Sequence, residues 1–142
     1  MSWILKKVQV NIPFNMLWDS YIELFTKNRL NPEIGLDAIS LKQFSFDDFK
    51  NIAQRLHKQN LTITLHAPFI DLSPGSADPD VMNLTRYRFK QVLKLIPIFK
   101  PKTVICHAGY DWKRYGYLKE EWVEKSLHTW SWLGSRVADE GG

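Results

Sequence analysis

The sequence predicts an α/β fold built of βα repeats, in which a parallel sheet of four strands is covered by helices. Two observations point there. Four short apolar runs rich in β-branched residues alternate with longer segments of helical spacing, which is the pattern of consecutive βα units. Two of the helical segments also open on start signals, Ser45 three residues ahead of Asp48 and Asp78 directly ahead of Pro79.

The first strand spans Lys7–Phe14, where Val8, Val10 and Ile12 alternate with other side chains. Leu17, Tyr21, Leu24 and Phe25 then share one helical face, and "KNRLNP" closes that helix because Pro32 disfavours helical geometry at Asn31. Glu33–Leu41 reads as the second strand, interrupted by Gly35 and Asp37. The Ser45 signal opens a helix carrying Phe49, Ile52, Ala53 and Leu56, and Leu61–Leu65 is the third strand. The Asp78 signal opens the next helix, with Val81, Leu84, Val92, Ile96 and Phe99 as its apolar stripe and Pro97 kinking or ending it. Thr103–Cys106 is the fourth strand. The loop "HAGYDWKRYGYLK" leads from it to a last helix from about Glu120, with Val123, Leu127, Trp130 and Val137 on one side.

Right-handed crossovers leave two architectures for four such units. A doubly wound three-layer sheet would be complete at 142 residues. A TIM barrel needs eight units and typically ~250 residues, so this chain would supply about half of one. No G-x-G-x-x-G follows the first strand and no G-x-x-x-x-G-K-[ST] occurs, which removes the nucleotide-binding readings. No linker divides the chain, so residues 1–142 read as a single domain.

With 44% hydrophobic and 24% charged residues, the chain has the composition of a soluble globular protein. Its net charge of +4 comes from scattered lysines and arginines, with no run of like charge that would mark a nucleic-acid arm. Cys106 is the single cysteine, which excludes an internal disulfide, suits the cytoplasm and reads as a small core residue. No secretory signal and no apolar run near the ~20 residues of a membrane span is present, so no membrane partner is expected. Six tryptophans, five tyrosines and eight phenylalanines suit a core, and they also suit a ligand-binding surface.

In either parallel architecture, ligands bind at the C-terminal ends of the strands. "LTITLHAPF" and "KTVICHAGYDW" each end a strand on a histidine, His66 and His107. Neighbouring strands run ~4.8 Å apart, so two imidazoles at equal height can converge on one ion or one substrate oxygen. Asn11 and Glu33, on the first two strands, point toward the same rim. In the loops, Tyr110, Trp112 and Tyr115 suit stacking on a sugar ring, Lys113 and Arg114 a phosphate, and Gly109 a close backbone approach. Asp71, Ser73 and Ser76 read first as turn residues. His57 and His128, inside helical segments, read as surface or helix-packing residues. No G-x-S-x-G, H-E-x-x-H or C-x-x-C occurs, so serine hydrolase, zincin and thioredoxin-like readings have no support.

"LHAPF" after the third strand and "CHAGYD" after the fourth together resemble the xylose-isomerase-like TIM barrels. That superfamily joins sugar and sugar-phosphate isomerases and epimerases to endonuclease IV. "NPEIGLDA" and "LTRYRFKQVLKL" look like its sugar phosphate isomerase and epimerase branch. The resemblance implies the first four units of a barrel, a divalent metal (Mn, Mg or Zn) and a sugar or sugar-phosphate substrate. It implies metal ligation by His66 and His107 in nuclease-like members, and substrate contact at those positions in epimerase-like ones. The family's essential glutamate on strand five, and its remaining ligands on strands six to eight, have no counterpart in this sequence.

The expectation is therefore an incomplete isomerase/epimerase-like half barrel that does not catalyse alone. His66 and His107 are its catalytic and metal residues, and Asn11, Glu33, Tyr110 and Trp112 its substrate wall. One alternative is an endonuclease IV-like enzyme acting on damaged DNA, the only reading with a nucleic-acid partner. Another is a non-catalytic module that self-associates through exposed sheet edges.

Overall fold

The computed structural model describes residues 3–141; Met1, Ser2 and Gly142, at the ends of the expected domain, lie outside the described residues. A 3-10 turn, Trp3–Lys6, precedes β1 (Val10–Pro13). One continuous helix follows as α1 (Phe14–Met16), a π turn (Leu17–Tyr21) and α2 (Ile22–Asn28), and it leads to β2 (Pro32–Gly35). After β2 come α3 (Ser40–Gln43), α4 (Phe46–Lys58) and β3 (Thr64–His66). The chain continues through α5 (Pro79–Leu93) and α6 (Ile96–Phe99) to β4 (Thr103–Ile105). A short helix α7 (Trp112–Tyr115) and a 3-10 turn, Gly116–Leu118, bring it to α8 (Lys119–Asp139). The four strands form one parallel sheet in the order β1-β2-β3-β4, as expected for consecutive right-handed βα units.

The core lies between the sheet and the helices. Ile12, Ile34 and Leu65 face it from the strands, against Phe14, Leu17, Phe49, Ile52 and Phe99 from the helices. Each strand alternates, so the opposite face carries Asn11, Glu33, Thr64 and Thr103 in one row across the sheet.

The start signals hold. Ser45 accepts from the Asp48 backbone N–H while the Asp48 carboxylate accepts from Ser45, a complete capping box. Phe49, Ile52, Ala53 and Leu56 are all buried. Asp78 caps α5, with Pro79 in the first turn.

Several boundaries and stripes differ, each for a local reason. β1 starts three residues later than expected because the N–H groups of Lys7 and Val8 bond back to the Ile4 carbonyl. The helix after β1 buries Ile22 where Tyr21 was expected, because the Ile22 N–H reaches the Leu17 carbonyl five residues back and the wide turn rotates the face; Tyr21 and Leu24 are exposed. That helix ends at Asn28, with Arg29 in the left-handed region, three residues ahead of Pro32. β2 stops at Gly35 and does not reach Leu41, since the Asp37 side chain accepts from the Ser40 N–H at 2.6 Å and opens α3.

In β3 the paired segment is Thr64–His66, with Leu61 and Ile63 still buried ahead of it. α5 ends at Leu93 and Pro97 stands in the first turn of α6; Thr85 and Phe89 face inward, and Leu84 is exposed. On α8 the buried residues are Trp122, Ser126, Thr129 and Leu133; of the expected stripe, Trp130 and Val137 pack against the core while Val123 and Leu127 are exposed. Among the described residues no helix is long and apolar enough to cross a membrane.

Candidate functional site

His66 closes β3, and its register partner on β4 is Ile105. The ladder continues as the Ala67 N–H bonds to the Ile105 carbonyl at 2.8 Å, so the chain after each strand stays in step and His107 rises beside His66. The two Nε2 atoms face each other at 3.0 Å. Below them, Asn11 Nδ2 donates to Glu33 Oε1 at 2.8 Å, across paired positions of β1 and β2. The sequence-predicted quartet of Asn11, Glu33, His66 and His107 therefore sits on one side of the sheet, at its C-terminal end.

A concavity of about 640 Å³ opens over this end. Asn11, His66 and His107 line it, with Asp37 and Asp71 as its carboxylates and Leu36, Ile39, Phe69 and Ile70 among its apolar wall. Among the described residues no lysine or arginine lines it. Tyr110 and Trp112 do not line it either. Tyr110 turns back onto the Trp122 indole, with ring centroids 4.9 Å apart, and Trp112 stands in solvent at 70% exposure. Arg114 pairs with Asp111 and Lys113 lies over Trp112, so neither aims a cation at the concavity.

Phe69 was not singled out from the sequence. Its ring stacks on His107, centroids 4.0 Å apart and planes 10° from parallel, and meets His66 edge-on at 5.5 Å. The available signal was an aromatic directly after the Ala67–Pro68 pair, at the start of a strand-end loop. Asp71 adopts a turn conformation with φ 59°, and it lines the concavity. Ser73 and Ser76 are turn residues, Ser73 taking Trp122 Nε1 on its hydroxyl and Ser76 taking the Asp78 N–H. Gly109, with φ 70°, brings its loop against Pro74 and Leu72 of the neighbouring loop. His57 bonds the Phe99 carbonyl at 2.9 Å, the helix-packing role expected of it.

Burial foremost, then the neighbouring His107 imidazole, holds His66 below its ordinary value; the Glu33 carboxylate and the Ala67 backbone pull the other way. His66 thus favours the neutral imidazole, the form that can accept a proton or ligate a cation. Zinc–imidazole bonds of ~2.0–2.1 Å place two ligand nitrogens of a tetrahedral ion roughly 3.3 Å apart. The 3.0 Å between the Nε2 atoms is close to that spacing. Among the described residues, no group of three or more histidine, cysteine, aspartate or glutamate side chains is arranged to hold a metal ion. The two imidazoles fit as part of a ligand set.

No protein-family model matches the sequence, and no curated protein matches it. Solved structures do. The TTHB071 protein from Thermus thermophilus, soaked with ZnCl2, superposes with a TM-score of 0.74 at 18% identity, over 94% of this chain and 52% of that one. A D-tagatose 3-epimerase-like protein gives 0.69 at 20% identity, over 94% and 50%. A D-psicose 3-epimerase crystallised in the presence of D-fructose gives 0.64 at 15%, again over 94% and 50%. The fold is that of half a TIM barrel. The chain spans about half the length of the structures it matches. In such a half barrel the row of Asn11, Glu33, Thr64 and Thr103 faces the barrel interior, and the concavity opens at the rim where TIM-barrel sites lie.

Proposed function

We propose that this chain supplies one half of the active site of a metal-dependent sugar isomerase or epimerase. The observation that carries the reading is the facing of His66 and His107 Nε2 at 3.0 Å above the Asn11–Glu33 pair. His66 and His107 hold the ion or the substrate oxygens, and Asn11 and Glu33 bind hydroxyls deeper in the barrel. A divalent ion bound there would polarise vicinal oxygens of the sugar. The carboxylate that removes a proton α to the carbonyl, and the remaining metal ligands, would come from further βα units that complete the barrel. β1 and β4 are the edges at which such units would join, whether they belong to a longer chain or to a second copy.

Between the two substrate classes, an unphosphorylated sugar fits this half better. Among the described residues its lining carries two carboxylates and no lysine or arginine, which repels a phosphate dianion. The same charge pattern disfavours a DNA backbone inside the concavity. The structural neighbours add support, since their own descriptions name a 3-epimerase-like protein, a 3-epimerase and a zinc soak. The single, buried-leaning Cys106 suits the cytoplasm.

Calorimetric titration of the full chain with zinc and with manganese tests the reading, with His66→Ala and His107→Ala beside the wild type. The expected result is one ion per chain, lost in both variants. Saturation-transfer NMR on the metal-loaded chain should then show contact with a free ketohexose and none with its phosphate. A folded wild type that binds neither metal nor ketohexose, or variants that bind both as well as it does, overturns the proposal.

A further inference from the structure

We propose that Phe69 is a positioning residue, holding the His66 and His107 imidazoles in the planes that bring their Nε2 atoms together. The inference rests on the reading of those histidines as the working pair. Among the described residues, His107 has no hydrogen-bond partner besides His66, and its side chain is exposed. An exposed imidazole with one polar partner keeps much of its rotamer freedom unless a second contact removes it. Phe69 is that contact. Its face lies on the His107 ring at 4.0 Å and 10°, and its edge meets the His66 ring at 5.5 Å and 86°, so one side chain fixes two ring planes that are themselves 79° apart.

The backbone that carries Phe69 is built to aim it. Ala67 and Pro68 are buried, Ala67 is tied to β4 through the Ile105 carbonyl, and Pro68 has a restricted φ. Two residues on, Asp71 turns the chain through the left-handed region, and the Leu72 N–H closes onto the Phe69 carbonyl at 3.3 Å. Phe69 itself remains 44% exposed, so core packing does not account for its place. A ring spanning both imidazoles, on a loop closed on either side of it, is arranged to orient ligands.

The experiment compares Phe69→Leu, which keeps apolar bulk without the ring, and Phe69→Tyr, which keeps the ring, with the wild-type chain. In the metal-free protein, NMR of the His107 ring protons reads the stacking directly. Their upfield ring-current shift should be present in the wild type and Phe69→Tyr and be lost in Phe69→Leu. Zinc affinity should fall roughly 2- to 10-fold in Phe69→Leu, the worth of an aromatic pair, and recover in Phe69→Tyr. Unchanged His107 shifts in Phe69→Leu, or equal zinc affinity in a wild type that binds, overturns the positioning role. If the wild type binds no zinc, the metal reading fails and the ring-current comparison still decides the role of Phe69.

Discussion

Gly75→Ala tests whether the loop between β3 and α5 is seated on α8 as described. Gly75 is buried, and a Cβ built there would stand 2.3 Å from the Trp122 carbonyl oxygen and 2.7 and 2.8 Å from two atoms of its indole. Neither neighbour is a flexible tip: one is helix backbone, and the other belongs to a side chain only 7% exposed. Relief requires loop and helix to part. That stretches the bond from Thr129 Oγ1 to the Pro74 carbonyl, 2.8 Å, and the bond from Trp122 Nε1 to Ser73 Oγ, 3.2 Å. Overpacking typically costs about 1–3 kcal/mol, and two weakened buried hydrogen bonds add about 0.5–1.5 kcal/mol each, for a total of about 2–6 kcal/mol. With a urea m-value of about 2 kcal/mol/M, the unfolding midpoint falls by roughly 1–3 M. Gly134→Ala, in α8 with nothing within 4 Å of the added Cβ, is the control and should gain about 0.5–1 kcal/mol. A Gly75→Ala midpoint that matches the wild type, or that rises with the control, refutes the seating of α8 on this loop.

Three further outcomes are expected. The side-chain and backbone hydrogen bonds from Ser45 hold the Asp48 carboxyl below its ordinary 3.8, so its contribution is complete above that value and lost as pH falls through the folded one. The stability difference between wild type and Asp48→Asn, read by urea titration, should therefore shrink on acidification below pH ~4. His66 behaves oppositely in cause and alike in sign. Because burial holds it below 6.5, the unfolded chain protonates first, and stability falls with pH from 6.5 toward the folded value. Thermal melts should show that slope in the wild type and a flatter one in His66→Gln. Burial pushes the Cys106 thiol up to about 11, so at pH 8 its thiolate is roughly 100-fold scarcer than in the unfolded chain, and iodoacetamide should alkylate it slower by at least that factor until urea unfolds the protein.

The parallel topology and the pairing of His66 with His107 were legible because both rest on local signals. β-branched runs mark strands, Ser45 and Asp78 mark helix starts, and a residue at a strand's end must face the rim. The errors came where one side chain redirects backbone or where small polar residues pack. The π turn at Leu17–Tyr21 shifts the helix face by one residue, and an assumed period of 3.6 does not register it. α8 buries Ser126 and Thr129 because its inner neighbour is the polar Ser73–Ser76 turn, so an apolar-stripe count settled on Val123 and Leu127 instead. Tyr110 was taken for a ligand-facing ring from its loop position. It is used instead to pack that loop onto Trp122, a contact at long sequence separation that no local pattern reveals.

The inner face of the sheet explains why the site does not rest on loops alone. TIM-barrel interiors are usually filled by bulky branched side chains. Here the register puts Asn11, Glu33, Thr64 and Thr103 in one interior row, with His66 in the row above, while the branched residues Ile12, Ile34 and Leu65 all point outward to the helices. An amide, a carboxylate and two hydroxyls are a poor choice for filling a barrel and a good one for meeting hydroxyl groups. Their positions are set by ladder hydrogen bonds, which fix them more tightly than a loop can. Gly35, the register partner of His66, leaves no side chain between that imidazole and the Asn11–Glu33 pair. The polar row and the histidines thus form one continuous surface from sheet to rim. That continuity, more than either histidine alone, is what supports the proposal that this half barrel meets a ligand.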